Sequence, residues 1–169
     1  MRKRDVEARA TQVLRDHGML DMVVDPVKLA NGSGLRVYNA KFGQENVHGL
    51  IAMRGGTPKV YVNADDHPVR KRFTIAHELG HFFLHLAGGE GEFIDDADNF
   101  RIPVEPDAAW TQERRQEWEA NAFAAALLMN EGLVRRMWPE IRDVEGMARW
   151  FQVSQQAMAI RLDELGLTA

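Results

Sequence analysis

Apolar residues Val6, Ala10, Val13 and Leu14 recur at helical spacing, which predicts an amphipathic helix to about Asp16, ending near Gly18. Asp25-Pro26 reads as an N-cap with proline in the first turn, opening a short helix that Asn31-Gly32 stops. The period then changes. Leu35–Tyr38, Val47–Met53 and Lys59–Val62 are short apolar runs bounded by glycine, asparagine and proline, and Gly55-Gly56-Thr57-Pro58 joins the last two as a hairpin. Their connections are too short for crossover helices, so the expected sheet is small and antiparallel. Helical spacing returns from about Val69 to Leu86 and again from Thr111 to Met129. The Gly- and Asp-rich stretch between them, Ala87 to Asp107, reads as a long loop. Residues 130–169 read as two or three short helices, the last capped by Ser154. Strands followed by helices predict an α+β fold.

Composition narrows the possible chemistry. The 169 residues fit one domain with a small helical appendix, divided here as 1–139 and a C-terminal extension 140–169 packed on or continuous with it. The absence of cysteine excludes disulfides, thiolate metal sites and thiol nucleophiles, and fits a cytoplasmic protein. The basic start is followed by no apolar run of the kind a secretory signal needs. The longest apolar run, Ala122 to Met129, is too short to cross a bilayer. With 21 Lys+Arg against 25 Asp+Glu, the net charge of −4 argues against a protein built to grip nucleic acid.

Candidate chemistry concentrates in Phe73–His85. His77 and His81 stand one helical turn apart on nearly the same face, and two imidazoles so placed can share one metal ion. Glu78 lies beside them, completing the H-E-x-x-H arrangement of zinc peptidases. Thr74, His77, Glu78, His81 and His85 form a single polar stripe, while Ile75, Ala76, Leu79, Phe82, Phe83 and Leu86 cover the rest of the helix. That pattern predicts a central helix. The opposing reading, a surface helix presenting histidines to solvent, leaves unexplained why the stripe holds no lysine or arginine after Arg72. A third ligand is needed, and His85, one turn further along, reads as a supporting residue. Glu119 shares a face with Phe123, Ala126 and Leu127, so it is expected to point inward, where it needs a metal or a charged partner such as a buried arginine. Glu113 and Glu117 fall on faces with more polar neighbours. Gly80 would let the alanine-rich second helix approach closely.

Three stretches carry a resemblance: Val62-Asn63 with Arg72–His81 and Leu84-His85; Glu119–Met129; and Phe151–Met158 with Arg161-Leu162 and Leu165–Leu167. They resemble the ImmA/IrrE family of bacterial metallopeptidases over most of the chain. The resemblance implies a zincin-like fold, with the sheet packed on the HExxH helix and a second ligand helix. It implies His77, His81 and Glu119 as metal ligands and Glu78 as the catalytic residue. It further implies a cytosolic zinc-type endopeptidase that cleaves a partner repressor carrying a helix-turn-helix, as in mobile elements, stress responses and toxin–antitoxin-like modules of transcription regulation. Asn130 departs from the family, where proline often follows Leu-Leu-Met.

Zn2+ is the expected ion, with Mn2+ or Fe2+ as alternatives for the same donor set. Tyr61, His85 and Arg101 are candidates to stabilise the oxyanion. Lys59–Asn63, as an edge strand, could pair with an extended substrate. The acids Glu90, Glu92, Asp95, Asp96, Asp98, Glu105 and Asp107 could steer a basic substrate. Two other readings stand beside the peptidase. One is a metal-stabilised protein that sequesters its partner without cleaving it. The other is a DNA-binding module, with Gln155 and Gln156 opening a recognition helix, against which the acids of residues 140–164 weigh.

Overall fold

The computed structural model describes residues 1–43, 46–53, 56–86, 91–95 and 106–167. Helix α1 (Lys3–Asp16) buries Val6, Ala10, Val13 and Leu14, the predicted stripe. In α2 (Pro26–Gly32) the Asp25 carboxylate accepts from the amides of Val27 and Lys28, as the Asp-Pro signal predicts. Three strands follow, β1 (Arg36–Ala40), β2 (Gly49–Met53) and β3 (Lys59–Asn63), and then the long helix α3 (Pro68–His85). A fourth strand, β4 (Gly91–Asp95), lies in the stretch that composition assigns to a loop. Helix α4 (Gln112–Leu128) is capped by Thr111. Three short helices complete the described chain: α5 (Glu131–Ile141), α6 (Val144–Phe151) and α7 (Gln155–Glu164), the last capped by Ser154.

The sheet is mixed rather than antiparallel. Its order is β1-β3-β2-β4, with β2 antiparallel to both neighbours and β1 parallel to β3. Short connections exclude a crossover helix, but β2 itself serves as the return, and the β2–β3 hairpin folds back so that β3 lies beside β1. Strand β3 is therefore interior, with both of its edges paired, so Lys59–Asn63 offers no free edge to a substrate. Among the described residues the edges are β1 and β4. Val60 and Val62 face the helices and are buried, so Tyr61 points to the opposite face, where it stacks on Tyr38 with centroids 5.5 Å apart.

Helix α3 is central, buried continuously from Phe73 to His81. Its closest neighbour is α4, and Gly80 makes that approach possible. A Cβ there would stand 2.9 Å from Ala120 Cα and 3.0 Å from Ala120 O, which are backbone atoms that cannot rotate aside.

The C-terminal helices share the core, since Met147, Phe151, Met158 and Leu162 belong to the same buried cluster as Val6 and Leu14. Two arginines tie them in. Arg72 Nε donates to Gln152 O at 3.1 Å, at the end of α6. Buried Arg161 donates to both Glu7 oxygens, at 2.5 and 2.9 Å, and to Met129 O at the end of α4 at 2.9 Å. Asn130, the departure from the family pattern, caps α5 by accepting from Gly132 N, and its amide donates to Thr11 Oγ1 at 3.0 Å.

Candidate metal centre

Helix α3 places its polar stripe against α4, and the two polar faces meet in an apolar surround. His77 and His81 are each 1% exposed and Glu78 is fully buried. The Nε2 atoms of the two histidines lie 3.2 Å apart. The Glu117 carboxylate meets both, with Oε2 3.2 Å from His77 Nε2 and Oε1 3.0 Å from His81 Nε2. All three residues can present a donor atom within 4.8 Å of the others.

These spacings fit a shared divalent cation. Ligands about 2.0–2.1 Å from a tetrahedral ion lie about 3.3 Å from one another, close to the observed separations. On the far side of His77, Nδ1 lies 2.8 Å from Asn121 Oδ1, an acceptor. Nδ1 therefore donates its hydrogen to Asn121, which leaves Nε2, on the Glu117 side, as the atom through which the ring would bind an ion. Burial lowers the pKa of His81 to about 4 against the opposing pull of Glu117, so its ring is neutral at pH 7, the form that binds metal. Burial alone would raise Glu117, but its hydrogen bonds to His77 and His81 hold it at about 2 and therefore ionised. Two imidazole nitrogens and two carboxylate oxygens gathered in a buried pocket form a donor set suited to a cation.

Glu119, expected as the third ligand, is not at this point. Positions 117 and 119 lie about 200° apart around a helix, so only one of the two acids can face the histidine pair. The Glu119 Oε2 atom lies 2.7 Å from His85 Nε2 and Oε1 lies 2.5 Å from the Met1 amino nitrogen. Burial would raise its pKa, but these two partners bring it below the ordinary value. It has a charged partner, as an inward carboxylate requires, though not an arginine.

Apolar neighbours favour Glu119 over Glu117 as the inward acid, and for that reason Glu117 does not stand out in the sequence. The pocket that receives the ligands is itself a polar stripe within an apolar interface. The signal is Glu117 and Asn121, an i, i+4 polar pair continued on the same face by Ala124 and Ala125, matching the i, i+4 pair His77 and His81 across from it.

Strand β2 bounds the other side. A Cβ on Gly49 would collide with Thr74 Cγ2 and stand 3.3 Å from Glu78 Oε1, so glycine is needed where the strand crosses the catalytic candidate. Phe93 of β4 stacks on the His81 ring, with centroids 4.0 Å apart and planes 12° from parallel. This places β4, an edge of the sheet among the described residues, directly beside His81. Among the oxyanion candidates, Tyr61 is on the far face of the sheet, His85 is one turn beyond His81, and Arg101 lies outside the described residues. Of the acids proposed to steer a substrate, Glu90, Asp96, Asp98 and Glu105 also lie outside them. His17, His48 and His67 are elsewhere. His17 Nε2 lies 3.1 Å from Ser33 Oγ, His48 Nδ1 lies 2.8 Å from Asp66 Oδ2, and His67 caps α3.

No helix among the described residues is long and apolar enough to cross a membrane. The sequence profile of the IrrE N-terminal-like domain, a peptidase family, matches residues 30–163. The chain is also similar to the metallopeptidase ImmA of Bacillus subtilis (strain 168), 21% identical over 163 residues that cover 95% of this chain and 86% of the relative. The profile spans α3, α4 and the four described strands, and it shows that the chain belongs to the IrrE N-terminal-like family of metallo-endopeptidases.

Proposed function

We propose that the protein is a cytoplasmic zinc endopeptidase in which His77, His81 and Glu117 hold the ion, Glu78 is the general base, and the substrate is a helix-turn-helix transcriptional repressor. The observation that carries the site assignment is the convergence of the Glu117 carboxylate on both Nε2 atoms, 3.0 and 3.2 Å away. Two nitrogens and one carboxylate favour zinc, with Mn2+ and Fe2+ as alternatives for the same donors.

Zinc, when bound, lowers the pKa of a coordinated water toward 7 and polarises the scissile carbonyl. Glu78, next to His77 and shielded from solvent, takes a proton from the attacking water and delivers it to the departing amine. Asn121 holds the His77 ring with its Nε2 lone pair inward. Phe93 covers the His81 ring and limits water around it. The outer edge of β4, unpaired among the described residues, is the backbone on which an extended substrate segment adds as a strand, with β2 already pairing the other edge.

The repressor assignment follows from the family resemblance and is tested with the repressor encoded beside the gene. Zinc-loaded protein is expected to cut it at a defined bond, and a chelator to stop the cut. If the protein instead binds the repressor without cutting it, and Glu78→Gln keeps the biological effect, the protein acts by sequestration and the peptidase reading fails.

A further inference from the structure

A second chain of buried hydrogen-bonding groups leaves the ligand set along α3. His81 Nδ1 lies 3.0 Å from His85 Nδ1, and His85 Nε2 lies 2.7 Å from Glu119 Oε2. The His85 side chain is 5% exposed and that of Glu119 11%. Only one placement of hydrogens satisfies this chain while leaving His81 free to bind an ion through Nε2. A carboxylate accepts and cannot donate, so His85 Nε2 carries a hydrogen for Glu119. With His81 Nε2 free for an ion, the hydrogen between the two Nδ1 atoms belongs to His81, and His85 Nδ1 accepts it. His81 Nε2 is thereby left with its lone pair toward Glu117 and His77.

We propose that Glu119 and His85 are positioning residues: Glu119, acting through His85, fixes the orientation and tautomer of His81 so that Nε2 faces the metal. This rests on His77, His81 and Glu117 being the ligands. It gives the two histidines separate supports on α4, Asn121 behind His77 and Glu119 behind His81, the second relayed by His85. Partners of this kind typically change metal affinity about 10- to 100-fold when removed.

The test is titration of the metal-free full chain with Co2+, following ligand-field absorption and measuring affinity against a competing chelator. Wild type, His85→Ala, Glu119→Ala, Glu119→Gln and the double alanine variant are compared. His85→Ala and Glu119→Ala are expected to keep one Co2+ per chain but to bind it about 10- to 100-fold more weakly. The double variant should be no weaker than His85→Ala, because Glu119 acts through that ring. Glu119→Gln, whose amide oxygen still accepts from His85, should recover most of the affinity.

Unchanged affinity in both alanine variants overturns the inference. So does loss of all binding in Glu119→Ala with His85→Ala intact, which would make Glu119 a ligand. If the alanine variants do not fold, Glu119→Gln and Glu119→Leu carry the comparison, similar in size but differing in ability to accept. A difference of about tenfold or more is expected, and equal affinities overturn the proposal. A wild type that takes up no Co2+ overturns the ligand reading and this inference together, whereas tight wild-type binding with unaffected variants overturns only the inference.

Discussion

An imidazole binds a metal through a free lone pair on a neutral ring, and burial imposes neutrality on His81. Its pKa of about 4, against an ordinary 6.5, means that the unfolded chain takes up a proton in this window and the folded chain does not. Stability from this group is complete above 6.5 and declines as pH falls toward 4. Glu117, held at about 2 against 4.5, acts in the same direction, since its contribution is present above 4.5 and is lost on further acidification. The metal-free protein is therefore expected to melt at progressively lower temperature from pH 7 down to pH 4, and a melting temperature constant over that range would contradict the neutral state of His81. Glu78 belongs to the same scale but has a different duty. Glu78→Gln should retain zinc at wild-type stoichiometry and lose about 10²- to 10⁴-fold in cleavage rate, the usual worth of a general base. Loss of zinc in that variant would instead make Glu78 part of the donor set.

Ligands on two different helices can share an ion only if the helices approach closely, and Gly80 governs the approach of α3 and α4. Gly80→Ala places a methyl group against the Ala120 backbone, a form of overpacking that typically costs about 1–3 kcal/mol. The variant should melt lower and bind zinc more weakly than wild type, and an alanine tolerated in both measurements would show that the crossing has slack.

Where a segment carries its own period or cap, the sequence was readable: the stripe of α1, the Asp25-Pro26 start of α2, the polar face of α3 and the Ser154 cap of α7 all appear as expected. What escaped depends on partners. Gly91–Asp95 has a loop-like composition and becomes a strand because β2 offers it an edge. The parallel β1–β3 pair arises from a hairpin folding back, which no single strand encodes. Glu117 was missed for the same reason, because its environment is supplied by α3.

At the scale of the molecule, a buried guanidinium joins the shared apolar core and Arg72 in holding the C-terminal helices to the peptidase core. Arg161 is 1% exposed and spans α1, α4 and α7 through Glu7 and Met129 O. Glu7→Ala removes its bidentate partner and leaves a buried charge underpaired, a change expected to cost about 3 kcal/mol. Thermal or denaturant unfolding measures it, and a loss below about 1 kcal/mol would place the pair in the class of exposed ion pairs. Metal binding adds to stability at the same scale, because an ion held only by the folded chain raises its melting temperature with concentration. Chelation should reverse that rise.

All of these expectations converge on where the ion sits. Anomalous diffraction at the zinc edge from crystals of the zinc-loaded protein locates it directly. The ligand assignment predicts one peak about 2.0–2.2 Å from His77 Nε2, His81 Nε2 and a Glu117 oxygen. A peak bonded to Glu119 in place of Glu117, or no peak between the two histidines, would contradict it.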